Sequence, residues 1–365
     1  MLKVQQYLNS GKTLEDLSTE FGIKARIHPV DPLVILNYDQ IDSPKMNEIV
    51  RECRGLTLEI GTWKVIAKAF DRFFNEGEAL EITKDFIWEG STALTKEDGS
   101  LIITYNYNGT WRVNTRGSFA EYNIHECGKT WAELFWEALG YDKFYSKESV
   151  VHAFELCSSY NKIVRQYKEP TAYLLAIFNR DICEEYPDDF IEDIAFAYKF
   201  KRPESYFFKN VDEVILFLQG KEGSDPTFEG LVIKDINGMR LKIKSKTYVA
   251  LHQMHGNDNI FLAKNLVPFI LSGEIDEVLT YFPEVEPRMI EVKTIIDAEF
   301  NKLCYAMYES NNITDQKEFA LKILNKTKFT GILFRMRQDI GFVLHEKELK
   351  EYWRNSAEMI LKYLF

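Results

Sequence analysis

The stretch LTKEDGSLIITY, residues 94–105, joins a compact turn to an apolar segment. Lys96 is followed by Glu, Asp and Gly, a composition typical of tight turns, and the apolar residues after them predict a strand that anchors the turn. A lysine amine held in this way could act as a covalent nucleophile. The alternative at this point is an exposed turn without chemistry, because the same residue types are common in such turns.

The region around this turn predicts an α+β fold. In SLIITYNYNGTWRVNTRG, residues 100–117, Asn108-Gly109 lies between two alternating segments, which is a strong short-range signal of a β-hairpin. Short alternating or apolar runs extend from about Pro32 to Val249. Two predicted helices, over 130–141 and 211–220, interrupt these runs and end at a glycine.

After about His252 the pattern becomes helical. Residues 286–310 carry apolar side chains at spacings of three and four, and 316–325 and 346–365 show the same periodicity. The apolar positions of the longest segment are Met289, Val292, Ile296, Phe300, Leu303 and Met307. We therefore predict a mixed α+β domain over residues 1–254 and a smaller all-α domain over residues 255–365.

Composition limits the function and the compartment. The 365 residues include 45 Lys and Arg against 56 Asp and Glu, a net charge of -11, which argues against a basic coat for general nucleic-acid binding but permits a local basic cleft. The five cysteines form no CxxC pair, which argues against a disulfide framework or a four-cysteine zinc site and predicts a cytoplasmic protein. The start of the chain has no apolar signal-like segment, and no run of about 18 apolar residues predicts a membrane span.

Three further stretches contain charged residues within strand-like patterns. AFELCSSYNKIV (153–164) carries the lone acid Glu155, which is either a surface residue on an edge strand or a ligand-binding group. FEGLVIKD (228–235) opens an apolar run with Glu229-Gly230. In MRLKIKSKTY (239–248), Lys242 and Lys244 alternate with apolar residues, so both lie on one face of a strand, which is either solvated or faces a ligand.

Taken in order, these elements resemble the motifs of covalent nucleotidyltransferases, the superfamily of polynucleotide ligases and mRNA capping enzymes. RECRGLTLE (51–59) and DRFFN (71–75), together with the stretches above, are similar to the bacteriophage RNA ligase 1 family over about residues 34–252. That family consists of ATP-dependent RNA ligases that repair cleaved tRNA. The resemblance implies a nucleotidyltransferase (ATP-grasp-like ligase) domain of antiparallel sheets with helices, followed by an all-α domain. DNA ligases and capping enzymes normally carry an OB-fold of five strands after the K-x-K strand. No pattern of five short strands follows His252, which favours the RNA ligases.

The resemblance also implies a three-step reaction with Lys96 as nucleophile. Lys96 would attack the α-phosphorus of ATP to form lysyl-AMP, the AMP would pass to an RNA 5′-phosphate, and the RNA 3′-hydroxyl would displace it. Lys244 would contact the α-phosphate with Lys242 beside it, and Glu229 would complete the catalytic group by binding Mg²⁺, or Mn²⁺ in its place. Glu155 would accept hydrogen bonds from the ribose hydroxyls.

Other implied roles concern the phosphates, the adenine and a second metal ligand. Arg54 and Arg72 would reach phosphates, although Arg72 stands where the family is expected to carry a lysine. The candidates for stacking on the adenine are Tyr38, Phe73 and Phe74, of which at least one belongs to the core. Arg116 is either an RNA-phosphate contact or part of a plain turn. Asp276 is either a metal ligand or an acid that complements the dipole of its helix.

The expected partner is RNA with 5′-phosphate and 3′-hydroxyl ends, such as cleaved tRNA, bound by a monomer without contact to a membrane. Two alternatives remain open from the sequence. One is another lysyl-nucleotidyl enzyme, either a DNA ligase or a GTP-dependent capping enzyme. The other is a non-catalytic RNA-binding protein that keeps the fold.

Overall fold

The computed structural model describes most of the chain, namely residues 1–122, 127–140, 144, 147–158, 160, 167–225, 227–245, 248, 261–273, 275–281 and 283–365. The chain divides into two compact units, Met1–His252 and Gln253–Phe365. The boundary predicted at residue 254 lies outside the described residues. Among the helices within these ranges, none is long and apolar enough to cross a membrane.

The first unit begins with a four-stranded antiparallel sheet in sequential strand order. Its strands are β1 (Ile23–Ile27), β2 (Leu33–Tyr38), β3 (Arg54–Glu59) and β4 (Val65–Ala67). The accompanying helices are α1 (Lys3–Asn9), α2 (Leu14–Phe21) and α3 (Glu48–Glu52). Val4 of α1, Leu17 of α2 and Val50 of α3 are buried with residues of β2 and β3, so the helices and this sheet share one core.

The second sheet is antiparallel, with the strand order β11-β10-β9-β7-β8. Its strands are β7 (Ser100–Tyr107), β8 (Thr110–Thr115), β9 (Val150–Cys157), β10 (Thr171–Asn179) and β11 (Glu184–Glu185). Helices α5 (Trp131–Leu139) and α6 (Asp188–Tyr198) contribute buried residues to the core on one face of this sheet. That core includes Phe135 of α5, Ile191 of α6 and Phe154 of β9.

The third sheet has the order β12-β6-β13-β14-β5, in which only the β14–β5 pair is parallel. Its strands are β5 (Phe74–Asn75), β6 (Thr92–Thr95), β12 (Ser205–Tyr206), β13 (Gly230–Lys234) and β14 (Arg240–Lys244). Helix α4 (Leu80–Thr83) follows β5 along the chain, and helix α7 (Val211–Ser224) covers one face of the sheet. Leu231, Ile233 and Ile243 pack under α7, so the alternate residues of β13 and β14 point to the opposite face.

The second unit is helical throughout its described residues. Its helices are α8 (Ala263–Ser272), α9 (Ile275–Tyr281), α10 (Glu286–Ser310), α11 (Gln316–Ile323), α12 (Thr330–Ile340), α13 (Glu346–Arg354) and α14 (Ala357–Leu364). Helix α10 buries the predicted apolar stripe, with Phe300 only partly buried at its edge. The α+β fold class is therefore confirmed.

Two local predictions are confirmed at positions where the backbone adopts a positive φ. The hairpin is confirmed: Tyr107 pairs with Thr110, and Asn108 and Gly109 both have positive φ, 52° and 81°. Helix α5 ends as predicted, with Gly140 in the left-handed conformation at φ 83°.

Two predicted helix boundaries were wrong. Helix α7 continues past Gly220 to Ser224, because Gly220 remains within the helix instead of ending it in the left-handed conformation. The single periodic segment 346–365 forms two helices, α13 and α14, which are separated by Asn355 and Ser356. Both segments keep an apolar face, so periodicity alone did not reveal the break.

Candidate active site

The register of the third sheet brings three sequence motifs to one point. Lys96 follows β6, Glu229 precedes β13, and Lys244 ends β14. Strands β6 and β14 both pair with β13, so that Thr95 lies opposite Leu231 and Gly230 lies opposite Lys244. The backbone N–H of Lys96 also donates to the carbonyl of Gly230 at 2.9 Å. Residues more than a hundred positions apart are therefore neighbours.

The carboxylate of Glu229 contacts both lysines. Its Oε1 lies 2.6 Å from Nζ of Lys96 and 3.2 Å from Nζ of Lys244. The side chain of Glu229 is only 5% exposed, and that of Lys244 is 15% exposed. Lys242 lies on the same face of β14, with Nζ 5.9 Å from the ring centroid of Phe73. The predicted alternation is confirmed, and Lys244 contacts a buried acid instead of lying on a solvated face.

Two glycines of these motifs allow close approach between backbones. Gly230 has a φ of 146°, and a Cβ on it would lie 2.2 Å from the carbonyl oxygen of Ile243. A Cβ on Gly99 would lie 2.4 Å from the carbonyl oxygen of Leu156 in β9. A larger residue at Gly230 would therefore force β13 away from β14. A larger residue at Gly99 would force the turn of Lys96 away from β9.

Glu155 lies on β9, opposite Leu101 of β7 and Tyr173 of β10. Burial raises the pKa of Glu155 to about 7, while the charges of Lys96 and Arg54 act in the opposite direction. The lone acid of the sequence is thus a carboxyl group on a central strand of the sheet, in the electrostatic environment of the candidate nucleophile.

Replacing Glu155 by Gln should change how stability depends on pH. Because the folded-state pKa of about 7 lies above the ordinary value, the native state holds this proton more tightly than the unfolded chain, and ionising Glu155 as pH rises from about 4.5 to about 7 costs stability. Glu155→Gln stays neutral, so its melting temperature should rise relative to the wild type over this range. Glu137→Gln, at an exposed acid of α5, is the control. Melting curves that run parallel for the wild type and Glu155→Gln at every pH would contradict the buried, pKa-shifted state.

A cavity of about 790 Å³ is lined by residues of all three sheets, a volume typical of small-ligand sites. The candidate residues from the sequence that line it are Arg54, Phe73, Lys96, Arg116 and Glu155. Leu175 of β10 and Val232 of β13 also line the cavity and offer apolar surfaces to a flat ring. The sequence did not predict either residue, although Val232 lies two residues after Gly230 and on the same face of β13.

Tyr38, Arg72 and Phe74 form a buried cluster in the wall of the first unit. The guanidinium carbon of Arg72 lies 5.2 Å from the Tyr38 ring centroid and 5.1 Å from that of Phe74. Arg72 pairs with Glu78 at 2.9 Å and donates to the Tyr38 hydroxyl at 3.3 Å. A lysine, which presents one point charge, could not stack and bridge in this way. The structure thus gives Arg72, Tyr38 and Phe74 packing partners, while Phe73 is the aromatic candidate that reaches the cavity.

Positive charges converge on the Tyr38 hydroxyl. Burial of this ring raises its pKa, but Arg54, Arg116 and Arg72 together lower the pKa of Tyr38 to about 8. Arg54 also carries a buried Nη1 that has no hydrogen-bond partner among the described residues. Arg54 and Arg116 line the cavity, so its end near Tyr38 attracts anions.

The predicted metal ligands lie in different units. Glu229 is a buried carboxylate at the candidate nucleophile and can offer a hard oxygen ligand, which suits Mg²⁺ or Mn²⁺. Asp276 is an exposed residue near the start of α9 in the second unit. Across the described ranges, no group of three or more His, Cys, Asp or Glu residues is arranged to hold a metal ion. A divalent cation held by Glu229 would take its other ligands from substrate phosphates and water.

A lysine on a turn beside a cavity, with a buried acid and a second lysine on adjacent strands, matches the class of covalent nucleotidyltransferases. Comparison with known proteins identifies the family within this class. The RNA ligase family model matches residues 52–248, more than half of the chain, and the protein belongs to this family.

Two relatives agree with this assignment, and one solved structure shares the fold. The chain is 30% identical over 321 residues to a putative bifunctional polynucleotide kinase/RNA ligase of Autographa californica nuclear polyhedrosis virus, covering 82% of this chain and 44% of that protein. It thus spans less than half the length of the viral relative. It is 25% identical over 382 residues to an RNA ligase of Rhodothermus phage RM378, covering 86% of each. An archaeal ATP-dependent RNA ligase, form 2, has a similar fold, with a TM-score of 0.50 at 12% identity over 98% of this chain and 90% of the other.

Proposed function

We propose that the protein is an ATP-dependent RNA ligase that joins 5′-phosphate and 3′-hydroxyl ends through a lysyl-AMP intermediate. The observation that carries this proposal is the contact of Lys96 and Lys244 with the buried Glu229 beside the cavity. A solvated turn and a solvated lysine face would not converge on one buried carboxylate. Family membership supports RNA as the nucleic acid that is joined.

The first step forms a bond between Nζ of Lys96 and the α-phosphorus of ATP and breaks the bond to pyrophosphate. An amine attacks through its lone pair, and Lys244 is a second cation at the same carboxylate oxygen. Lys244 and Lys242 would also offset charge that develops on the α-phosphate. A divalent cation bound at Glu229 would supply further positive charge to the phosphates. Arg54 and Arg116 at the anion-attracting end of the cavity suit the β- and γ-phosphates.

The remaining steps return Lys96 to its free form and join the RNA. An oxygen of the RNA 5′-phosphate attacks the AMP phosphorus, and the bond to Lys96 breaks. The 3′-hydroxyl of the second end then attacks the activated phosphate, and AMP leaves. Glu155 would hold the ribose, and the apolar surfaces of Leu175, Val232 and Phe73 would contact the adenine.

Incubation with α-labelled ATP or GTP tests the proposal. Label should become attached to the protein from ATP, and the labelled protein should then seal 5′-phosphate RNA. Label from GTP alone would indicate a capping enzyme, and no label from either would indicate a non-catalytic RNA-binding protein. Sealing of DNA but not RNA would indicate a DNA ligase.

We further propose that the second unit selects the RNA. We also propose that the protein works in a reducing compartment, the cytoplasm. The second unit has a core of its own, which includes Met289, Phe319 and Trp353, and it carries none of the nucleotidyltransferase motifs. None of the five cysteines, which all lie within the described residues, forms a disulfide bond. The proposed substrate is cleaved tRNA bound by a monomer, because RNA specificity usually targets single-stranded loops and ends.

A chain that ends at Gly256 should keep adenylylation with ATP but lose its preference for cleaved tRNA over a generic single strand. The reason is that every motif residue of the first step lies before this position, whereas the proposed selecting surface lies after it. The measurement compares labelling and sealing rates of soluble truncated and full-length protein on both RNAs. If the truncated protein retained full tRNA preference, selection would reside in the first unit.

A further inference from the structure

The turn that carries Lys96 is fixed at its two ends by backbone contacts. At its start, the Lys96 N–H donates to the Gly230 carbonyl at 2.9 Å. At its end, Gly99 lies so close to β9 that no Cβ would fit. Between them, Glu97 and Asp98 are buried, with 8% and 2% of their surfaces exposed. Two buried acids in a turn need hydrogen-bond partners if the turn is to keep one conformation.

Tyr167 supplies partners to both residues from about 70 positions further along the chain. Its hydroxyl donates to Oε2 of Glu97 at 3.1 Å and accepts the backbone N–H of Asp98 at 3.2 Å. Burial, followed by the neighbouring Cys157 and Glu97, raises the pKa of Tyr167, so the hydroxyl stays protonated and able to donate at neutral pH. One hydroxyl thus connects a side chain and the backbone of adjacent turn residues.

We propose that Tyr167 is a positioning residue that holds the nucleophile turn in the conformation that aims Lys96 at the α-phosphate. This inference rests on the proposed function, because it assumes that Lys96 attacks ATP. Tyr167 lies outside the K-E-D-G, E-G and K-x-K motifs. Its hydroxyl contacts the turn and not Lys96 Nζ, so it acts through Glu97 and Asp98. A displacement of about 1 Å at a reacting group can lower a rate by about 10²-fold.

The test replaces Tyr167 by Phe, which removes only the hydroxyl. Tyr107→Phe is the matched control, because the Tyr107 hydroxyl also donates to a glutamate, Glu59, at 3.3 Å, but at the opposite end of β7 from the turn. The wild type and both variants are compared in single-turnover lysyl-AMP formation from α-labelled ATP, in sealing of a pre-adenylylated RNA oligonucleotide, and in melting temperature.

The expected result is a split between the reaction steps. Tyr167→Phe should lower the rate constant of lysyl-AMP formation by about 10- to 100-fold with little change in the apparent KM for ATP, because the hydroxyl positions the nucleophile and not the nucleotide. Sealing of pre-adenylylated RNA, in which Lys96 does not attack, should stay within about threefold of the wild type. Tyr107→Phe should leave both steps unchanged.

Two outcomes would overturn the inference and leave the proposed function unaffected. One is an unchanged rate of lysyl-AMP formation in Tyr167→Phe, and the other is an equal loss in both steps, which would indicate a general structural role. Failure of the wild type to form lysyl-AMP at all would instead remove the proposed function. If Tyr167→Phe does not fold, Glu97→Gln weakens the same hydrogen bond from the other side and should give a smaller loss, again confined to lysyl-AMP formation.

Discussion

Lys96→Ala is expected to abolish attachment of AMP to the protein and joining of 5′-phosphate RNA. Alanine cannot form the phosphoramidate bond, and the other lysine at the same carboxylate, Lys244, belongs to a different strand and would contact the phosphate instead of attacking it. Labelling with α-labelled ATP, followed by mapping of the labelled peptide, measures the effect directly. The label in the wild type should lie on the peptide that contains Lys96.

The third reaction step provides an internal control for this variant. Sealing of pre-adenylylated RNA needs the cavity and the cations but not the covalent bond, so Lys96→Ala should retain part of that activity. Loss of Lys96 removes one of two ammonium groups from the buried Glu229, which leaves the fold supported by the strand register. Lysyl-AMP formation by Lys96→Ala at the wild-type rate would exclude Lys96 as the nucleophile.

The sequence predicted those parts of the site that depend on local chemistry. The period of two along β14 placed Lys242 and Lys244 on one face, and the structure confirms this alternation. The glycines of K-E-D-G and E-G are explained by close backbone approach, at Gly99 to β9 and at Gly230 to β14. What remained open was whether the lysine face contacts water or an acid. The pairing of β13 with both β6 and β14 decided this, and pairing partners are not encoded in a local pattern.

Residues whose role depends on distant contacts were harder to predict. The packing of Arg72 and Tyr38 with Phe74 and Glu78 was not predicted, and their expected roles at the nucleotide stay predictions. Leu175 and Val232 line the cavity without any special residue type to mark them. Tyr167 is separated from the turn of Lys96 by β7, β8, α5 and β9. An isolated tyrosine carries no signal of its hydrogen-bond partners until the fold is known.

Loss of Lys244 is expected to have the second largest effect on catalysis. If Lys242 and Lys244 face the phosphates, Lys244→Ala or Lys242→Ala should lower the rate of lysyl-AMP formation by at least about 10²-fold, because charge that develops on the α-phosphate would lose a preorganised cation. Lys244 is the more tightly held, at 3.2 Å from the buried Glu229, so its removal also leaves that carboxylate with Lys96 alone. The reduction should appear in the rate constant more than in the KM for ATP, since the interaction strengthens in the transition state.

The control must be a strand lysine that does not contact Glu229. Lys246 continues the alternation of β14 in the sequence but lies outside the described residues, so Lys24 of β1 is the better choice. Its side chain is 51% exposed and pairs with Asp39 at 3.0 Å in the first sheet. Lys24→Ala should leave lysyl-AMP formation unchanged, and its melting temperature is measured because the substitution removes an ion pair from Asp39, which is 6% exposed. Equal and small losses for Lys24→Ala, Lys242→Ala and Lys244→Ala, with all three proteins folded, would show that the lysine face of β14 does not act on the phosphates. A large loss confined to Lys242 and Lys244 would instead mark the face of β14 that the active site uses.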